Sequence, residues 1–378
     1  MRVLHVISDE NIGGAGVLLC SLLRNFDPTC VESIIALPCG SALVARLLPL
    51  EIPLVELSAC PDRPKGRAVR ELCRVIREQK PALVHTNASM AARVAARICR
   101  VPVIHTRHCC FPPEGVLKSP PVARIAGGIN RALSDHVIAT ADAAAEDLLR
   151  LGIPHERITV IKNGSEELRT PTAAELSAAR GMWGLSPDDF VGGICARLVA
   201  CKDHETFLRA ARICLDHTPA RCLRFLIVGE GEERTRLERL TRELGLSSNV
   251  TLTGFVSDMA TVYHLLNLNV NCSVGTETSC LALSEGMSAG VPVLGSDYGG
   301  NPAMIGESLA GGVFPMRDAE RLASLILRIC ADPVMERKMR SAARARYLQC
   351  YTARAMAREV EGVYREVLSK TEKSAPRG

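Results

Sequence analysis

Short apolar runs of strand length alternate with longer helical patterns along almost the whole chain, and the alternation breaks once and begins again. The first run is Arg2–Ser8, where Val3, Leu4, Val6 and Ile7 alternate too little for a half-exposed strand and suit a buried parallel one. Further runs fall at Glu32–Leu37, Leu54–Leu57, Leu83–His85, Val101–Thr106, His136–Ala139 and Ile158–Ile161. Helical patterns separate them at Val17–Leu23, Ala42–Leu48, Ala68–Gln79, Ser89–Cys99, Val122–Leu133 and Ala143–Leu149. This order predicts a parallel sheet wrapped by helices on both faces. Lys162-Asn163-Gly164-Ser165 and the polar stretch Glu166–Ala173 interrupt the pattern and read as a hinge. It restarts with strands at Phe190–Ala196, Leu223–Val228, Val250–Leu252, Leu268–Asn271 and Val291–Leu294, and helices at His204–Leu215, Glu232–Leu244 and Met259–Leu266. A chain of 378 residues exceeds what one ordinary core serves, so two doubly wound domains are expected. Three helical segments follow at Ala319–Cys330, Val334–Gln349 and Thr352–Leu368, and the polar tail Ser369–Gly378 reads as disordered.

Composition narrows the function classes. Hydrophobic content of 47% and charged content of 23% are those of a globular enzyme. No apolar run reaches the roughly 18 residues that a membrane span needs. MRVLHVIS lacks a small-residue cleavage site and reads as a first strand, not a signal peptide. The 16 cysteines are scattered without a C-x-x-C, so neither a disulfide framework nor a zinc site is expected, and reduced thiols point to the cytoplasm. Aromatics make up only 3%, too few for stacking platforms, and no nucleic-acid partner is expected. The net charge of +5 lies wholly within residues 1–165. There Arg67, Arg70, Arg74 and Arg77 fall three or four apart on one helix flank, opposite Val69, Leu72, Cys73 and Ile76. A solvated face is the favoured reading, diluted by Glu71 and Glu78; contact with an anionic surface is the other.

Ligands of open α/β sheets bind beyond the carboxyl ends of strands. Polar and glycine residues collect at those positions here. The first strand runs into Asn11-Ile12-Gly13-Gly14-Ala15-Gly16, which is not a dinucleotide fingerprint because G-x-G-x-x-G is absent. His105-Thr106-Arg107-His108 ends another strand. In the second half Arg197, Lys202, Gly229, Gly254 and Glu277 each fall just past a strand end.

The stretch from Val274 to Ile305 concentrates these signals. Glu277 and Glu285 flank a loop that enters a helix near Cys280, where backbone N–H groups and the helix dipole favour an anion. Gly290-Val291-Pro292 breaks the helix, and Gly299-Gly300-Asn301-Pro302 forms a turn. Eight residues of helix would separate the two carboxylates by about 12 Å, too far for a glycosidase pair at about 5–9.5 Å. They read as holders of a phosphorylated sugar.

These residues, in this order, resemble the retaining glycosyltransferases of family 4, whose GT-B fold places two Rossmann-like doubly wound domains across a cleft. The resemblance rests most on Glu277-x7-Glu285 with Gly290-Val291-Pro292 and Gly299-Gly300, supported by Gly13-Gly14, Thr106-x-His108, Asn163-Gly164, Arg197 with Lys202, and Gly254-Phe255. It implies an acceptor-side domain over 1–164, a nucleotide-sugar-binding domain over 165–351, and a final helix and tail over 352–378 that crosses back to the first. It implies that Arg197 and Lys202 neutralise the donor diphosphate, that Glu277 contacts the donor sugar and Glu285 the ribose, and that His108 lies near the reacting centre. Gly14 would approach the diphosphate, the turn Gly254–Val256 would frame the base, Gly13 and Gly229 would also line the donor site, and N–H groups at Ser279, Cys280 and Leu281 would meet phosphate. Ser279 and Cys280 depart from the aromatic and glycine of many members, which changes the sugar pocket.

The implied function is transfer of a hexose from a nucleotide sugar, a UDP-sugar first, to a hydroxyl of a glycan, lipid-linked or small-molecule acceptor in cell-surface glycan or glycolipid synthesis. The donor is a substrate, so no cofactor is expected, and no D-x-D cluster points to a metal. Peripheral contact with the inner face of the membrane through the first domain is the second reading of the arginine flank, beside the favoured solvated face. A nucleotide-sugar epimerase on the same fold is the alternative.

Overall fold

The computed structural model describes residues 1–9, 13–87, 89–108, 120–217, 223–275 and 278–374, without the side chains of 120–124 and 372–374. Two compact units emerge, Met1–Gly164 with Ala353–Gly378, and Ser165–Thr352. Strands of the first are β1 (Arg2–Ile7), β2 (Glu32–Pro38), β3 (Leu54–Leu57), β4 (Leu83–Asn87), β5 (Val103–Arg107), β6 (His136–Ala139) and β7 (Ile158–Val160). They form one parallel sheet in the order β3-β2-β1-β4-β5-β6-β7. The chain leaves β1 in one direction through β2 and β3, then returns to β1 to continue through β4. That reversal lies between β1 and β4, and a crevice opens at their carboxyl ends.

Apolar strands face apolar helix stripes. Leu4, Val6, Ile34, Val84 and Val103 pack with Leu72, Val75 and Ile76 of helix Gly66–Gln79 and with the alanines of helix Met90–Ile98. The final helix, Ala353–Ser374, packs on helix Gly14–Asn25 and buries Met356, Val360, Val363, Tyr364 and Val367. It runs through Ser374, so Ser369–Ser374, expected to be disordered, is helical. Stripe residues ending at Val367 anchor the helix, and the i,i+4 pair Glu366–Lys370 at 2.5 Å supports the next turn.

In the second unit β8 (Phe190–Cys195), β9 (Leu223–Val228), β10 (Val250–Gly254), β11 (Leu268–Asn271), β12 (Val293–Ser296) and β13 (Gly311–Phe314) form a parallel sheet ordered β10-β9-β8-β11-β12-β13. Every residue of β8 is buried, as a central strand covered on both faces requires. The reversal lies between β8 and β11. Two elements here had no counterpart in the sequence reading: helix Ala173–Trp183 and the edge strand β13. The expected helix at Ala42–Leu48 shrinks to Val44–Leu47 and a 3-10 turn, Leu48–Leu50, that contains Pro49. The turn at Gly299–Pro302 opens a short helix, Asn301–Ile305, with proline in its first turn, where a missing N–H costs nothing. Among the described residues no helix is long and apolar enough to cross a membrane.

Candidate functional site

The first unit presents a largely neutral polar edge. β4 ends in Asn87, and its Oδ1 lies 2.8 Å from Nε2 of His108, just past β5. His108 is half-buried, and that burial lowers its pKa to about 4, so it stays a neutral imidazole at pH 7. His85, on the same sheet, touches the Tyr364 hydroxyl at 2.6 Å through Nδ1 and the Thr106 hydroxyl at 2.7 Å through Nε2. Burial holds its pKa, and that of His105, well below the usual range. A cavity of about 30 Å³ lies here, bounded by Asn87, Thr106, His108, Thr140 and Asn163 on its polar side. That is room for water, not for a sugar ring.

Gly13 caps helix Gly14–Asn25 in an extended conformation, and a side chain at Gly14 would meet nothing within 4 Å. Neither position demands glycine for packing; Gly16 does, because a Cβ there would sit 2.5 Å from Leu43 Cδ2. Asp9, not anticipated from the sequence, stands 3.4 Å from the Cβ position of Gly13, and burial raises its carboxyl pKa.

The second unit presents cations on tightly stacked turns. Gly229 has φ +143°, and a Cβ there would lie 2.0 Å from the carbonyl of Ala196. A Cβ at Gly231 would lie 2.3 Å from the carbonyl of Leu198, and one at Gly254, at φ +76°, would meet Glu230 Oε1 at 2.9 Å. Backbone bonds Ala196 N–Val228 O, Leu198 N–Glu230 O and Gly229 N–Gly254 O, all about 3 Å, knit the three turns together. Arg197 is left facing solvent. Lys202 is half-buried at the end of the 3-10 turn Ala200–Lys202, and its Nζ donates to Ser273 Oγ at 3.4 Å. Val274 N–H donates to Cys201 O at 2.9 Å, which ties that turn to the loop after β11. Arg197 and Lys202 therefore both stand beyond β8, beside the topological reversal.

Helix Leu281–Ser288 starts later than the two-carboxylate argument assumed. Cys280 is its N-cap, so a helical rise does not measure the separation of positions 277 and 285, and Glu277 lies outside the described residues. The expected free N–H at Cys280 is also corrected: it donates to Met304 Sδ at 3.2 Å. Ser279 is half-buried, with its hydroxyl 3.9 Å from the same sulfur. Leu281 opens the helix. Glu285 is half-buried, and one carboxylate oxygen accepts from the buried Tyr263 hydroxyl at 3.0 Å. Val256 is half-buried, while Phe255, in the same turn expected to frame the base, is 72% exposed. An exposed aromatic ring on a structured turn offers a stacking face for a flat ligand.

Elsewhere, Arg67, Arg70, Arg74 and Arg77 are all exposed. Glu71 is drawn away from them: it accepts from the backbone N–H groups of Ser58 and Ala59, at 2.9 and 3.1 Å, and from the Ser58 hydroxyl. Glu78 stands 3.9 Å from Arg74.

Comparison with known proteins divides the chain the same way. Residues 12–166 match the family model described as Glycosyltransferase Family 4, and residues 179–346 match Glycosyl transferases group 1. A Bacillus subtilis (strain 168) protein assigned as glycosyltransferase EpsD is 26% identical over 82% of this chain and 83% of its own length. An Escherichia coli protein, UDP-Gal:α-D-GlcNAc-diphosphoundecaprenol α-1,3-galactosyltransferase, is 24% identical over 71% of each. The crystal structure of Anabaena Alr3699/HepE with UDP-glucose superposes with a TM-score of 0.84 and 21% identity, covering 97% of this chain and 100% of that one.

Proposed function

The chain belongs to the family 4 glycosyltransferases, and from that premise we propose that it moves a sugar from a UDP-sugar to an acceptor hydroxyl with the anomeric configuration kept. The observation that carries this reading is the pair Arg197 and Lys202 beyond β8. When the sugar departs, negative charge builds on the terminal phosphate, and cations already in place stabilise it without reorganisation. Lys202, steadied by Ser273, and Arg197 would meet that charge together with the N–H at Leu281. Glu285, held by Tyr263, would bind the ribose, and Gly254, Val256 and Phe255 would frame the base. A neutral His108 lines the acceptor side. The departing phosphate takes the acceptor proton as the new bond forms on the face that the leaving group vacates. We propose that no divalent cation is needed, because the two cations supply the charge.

UDP as the nucleotide is supported by the UDP-glucose bound to the Anabaena protein and by the UDP-Gal in the E. coli relative's name. That relative's lipid-linked acceptor and α-linked product support an acceptor of the same chemistry and retention here. The exposed arginines of helix Gly66–Gln79 would then meet an anionic membrane surface in the cytoplasm, a contact that salt weakens. The epimerase alternative is set aside, since the matched families and the named relatives are glycosyltransferases. Thermal shift across UDP, GDP and ADP sugars identifies the donor. Proton NMR of the product's anomeric coupling, with and without EDTA, then tests the mechanism. A β-linked first product, or activity lost to EDTA and restored by Mg²⁺ or Mn²⁺, overturns it.

A further inference from the structure

Beneath the cationic turns of the second unit lies a chain of buried polar side chains that packing alone does not require. It starts at Asn301, fully buried at the head of helix Asn301–Ile305. Its amide nitrogen donates to Asn271 Oδ1 at 2.9 Å and to Ser296 Oγ at 3.2 Å. Ser296, at the end of β12, donates in turn to the carbonyl of Ser273 at 2.6 Å. Ser273, just past β11, receives the Lys202 ammonium on its own hydroxyl. Asn271 binds the backbone N–H of Ser273 at 3.0 Å and donates to Cys280 Sγ at 2.9 Å. Ser273 and Ser296 are as buried as Asn301.

The direction of each bond is fixed by the backbone. Because Ser273 N–H must donate, Asn271 has to present its oxygen there, so Asn301 has to present its NH₂. The Asn301 oxygen is left buried without a hydrogen-bond partner. A leucine at position 301 would occupy a similar volume without an orphaned oxygen, so apolar packing alone does not call for the asparagine.

We infer that Asn301 is a positioning residue for the donor's diphosphate: through Ser296 it fixes the Ser273 segment on which the Lys202 ammonium rests. Asn301 touches no ligand itself. The inference rests on the reading that Lys202 meets the diphosphate, and the test separates the two.

UDP affinity is measured by calorimetry for the wild-type chain, Lys202→Ala, Ser296→Ala, Asn301→Asp and the double variant Lys202→Ala with Ser296→Ala, with melting temperature as the check on folding. Ser296→Ala removes one hydroxyl and keeps the fold, so the test survives if Asn301→Asp does not fold. Lys202→Ala is expected to weaken UDP binding at least about tenfold and Ser296→Ala about fivefold, with the second loss shrinking to within about twofold once Lys202 is absent. Such non-additivity marks positioning through Lys202, which a general loosening would not produce. If Lys202→Ala weakens UDP but Ser296→Ala binds normally, or the two losses multiply in full, the positioning role is wrong and the diphosphate reading stands. If Lys202→Ala binds UDP as well as wild type, the diphosphate reading fails and the positioning role fails with it.

Discussion

At the carboxyl edge of the seven-stranded sheet imidazoles, amides and hydroxyls sunk among apolar neighbours outnumber the charged Arg107 and Asp9, whereas the six-stranded sheet ends in an exposed arginine and a half-buried lysine carried on glycine turns. Both sheets reverse direction at their fourth strand and open a crevice at equivalent places. Topology therefore provides two sites, and burial decides their chemistry. Where helices Gly14–Asn25 and Ala353–Ser374 cover the edge, a histidine can exist only as a neutral group. Where stacked turns leave the edge open, a cation keeps its hydration until a ligand displaces it. A neutral hydroxyl acceptor suits the first edge and a diphosphate the second.

Acid should break this contrast most strongly. His5, with pKa about 3, and His108, with pKa about 4, stay neutral when folded but titrate near 6.5 when unfolded. The unfolded chain binds more protons, so their stabilisation is present above pH 6.5 and is lost as pH falls toward 4. At pH 5 the loss is about 2 kcal/mol for each. In the second unit His204 is the comparable case, also near 4. Hydrogen exchange read by mass spectrometry between pH 7 and 5 should show residues 1–164 losing protection before 165–352. Equal loss in both units would remove the contrast.

The cations carry the next largest effect. Arg197→Ala and Lys202→Ala should each lower kcat/KM by about 10²–10³, or about 3–4 kcal/mol of transition-state stabilisation, with little change in melting temperature. Turnover within tenfold of wild type in both would detach the second edge from the chemistry.

Glycines sharpen the comparison further. Gly229→Ala forces a side chain into the Ala196 carbonyl at φ +143°, and should cost about 1–3 kcal/mol in denaturant unfolding. Gly14→Ala, with open space ahead of it, should change stability by less than about 0.5 kcal/mol. An activity loss in a stable Gly14→Ala chain would mean that a ligand, not packing, needs that space.

The smallest effect belongs to the exposed pair Arg74–Glu78 at 3.9 Å. Arg74→Ala should shift stability by less than about 0.5 kcal/mol, while reducing sedimentation with anionic vesicles at low salt. Unchanged vesicle binding after all four arginines are replaced would make the flank a solvated face only.

Much of the fold is legible along the chain because strand burial is written locally. Val3–Ile7 and Leu223–Val228 are apolar enough to mark central strands by themselves. The strand β13 is not, since it begins with two glycines and gains its place only by pairing with β12. Helix Ala173–Trp183 had a readable start in the Thr172–Glu175 capping box, but its weak apolar stripe hid the rest.

Two parallel sheets, a division of the chain at Gly164, and the position of Arg197, Lys202 and His108 beyond strand ends follow from the order of the residues, because periodicity and chain order are properties of neighbours. Tertiary structure alone decided that Gly229 and Gly254 are steric necessities while Gly14 is not. It also decided that the Cys280 N–H is already engaged, and that Asn271, Ser296 and Asn301 converge on the segment that bears Lys202. Those outcomes depend on turns brought together from distant positions and on the burial that follows. Such distances and solvation cannot be read from spacing along a chain.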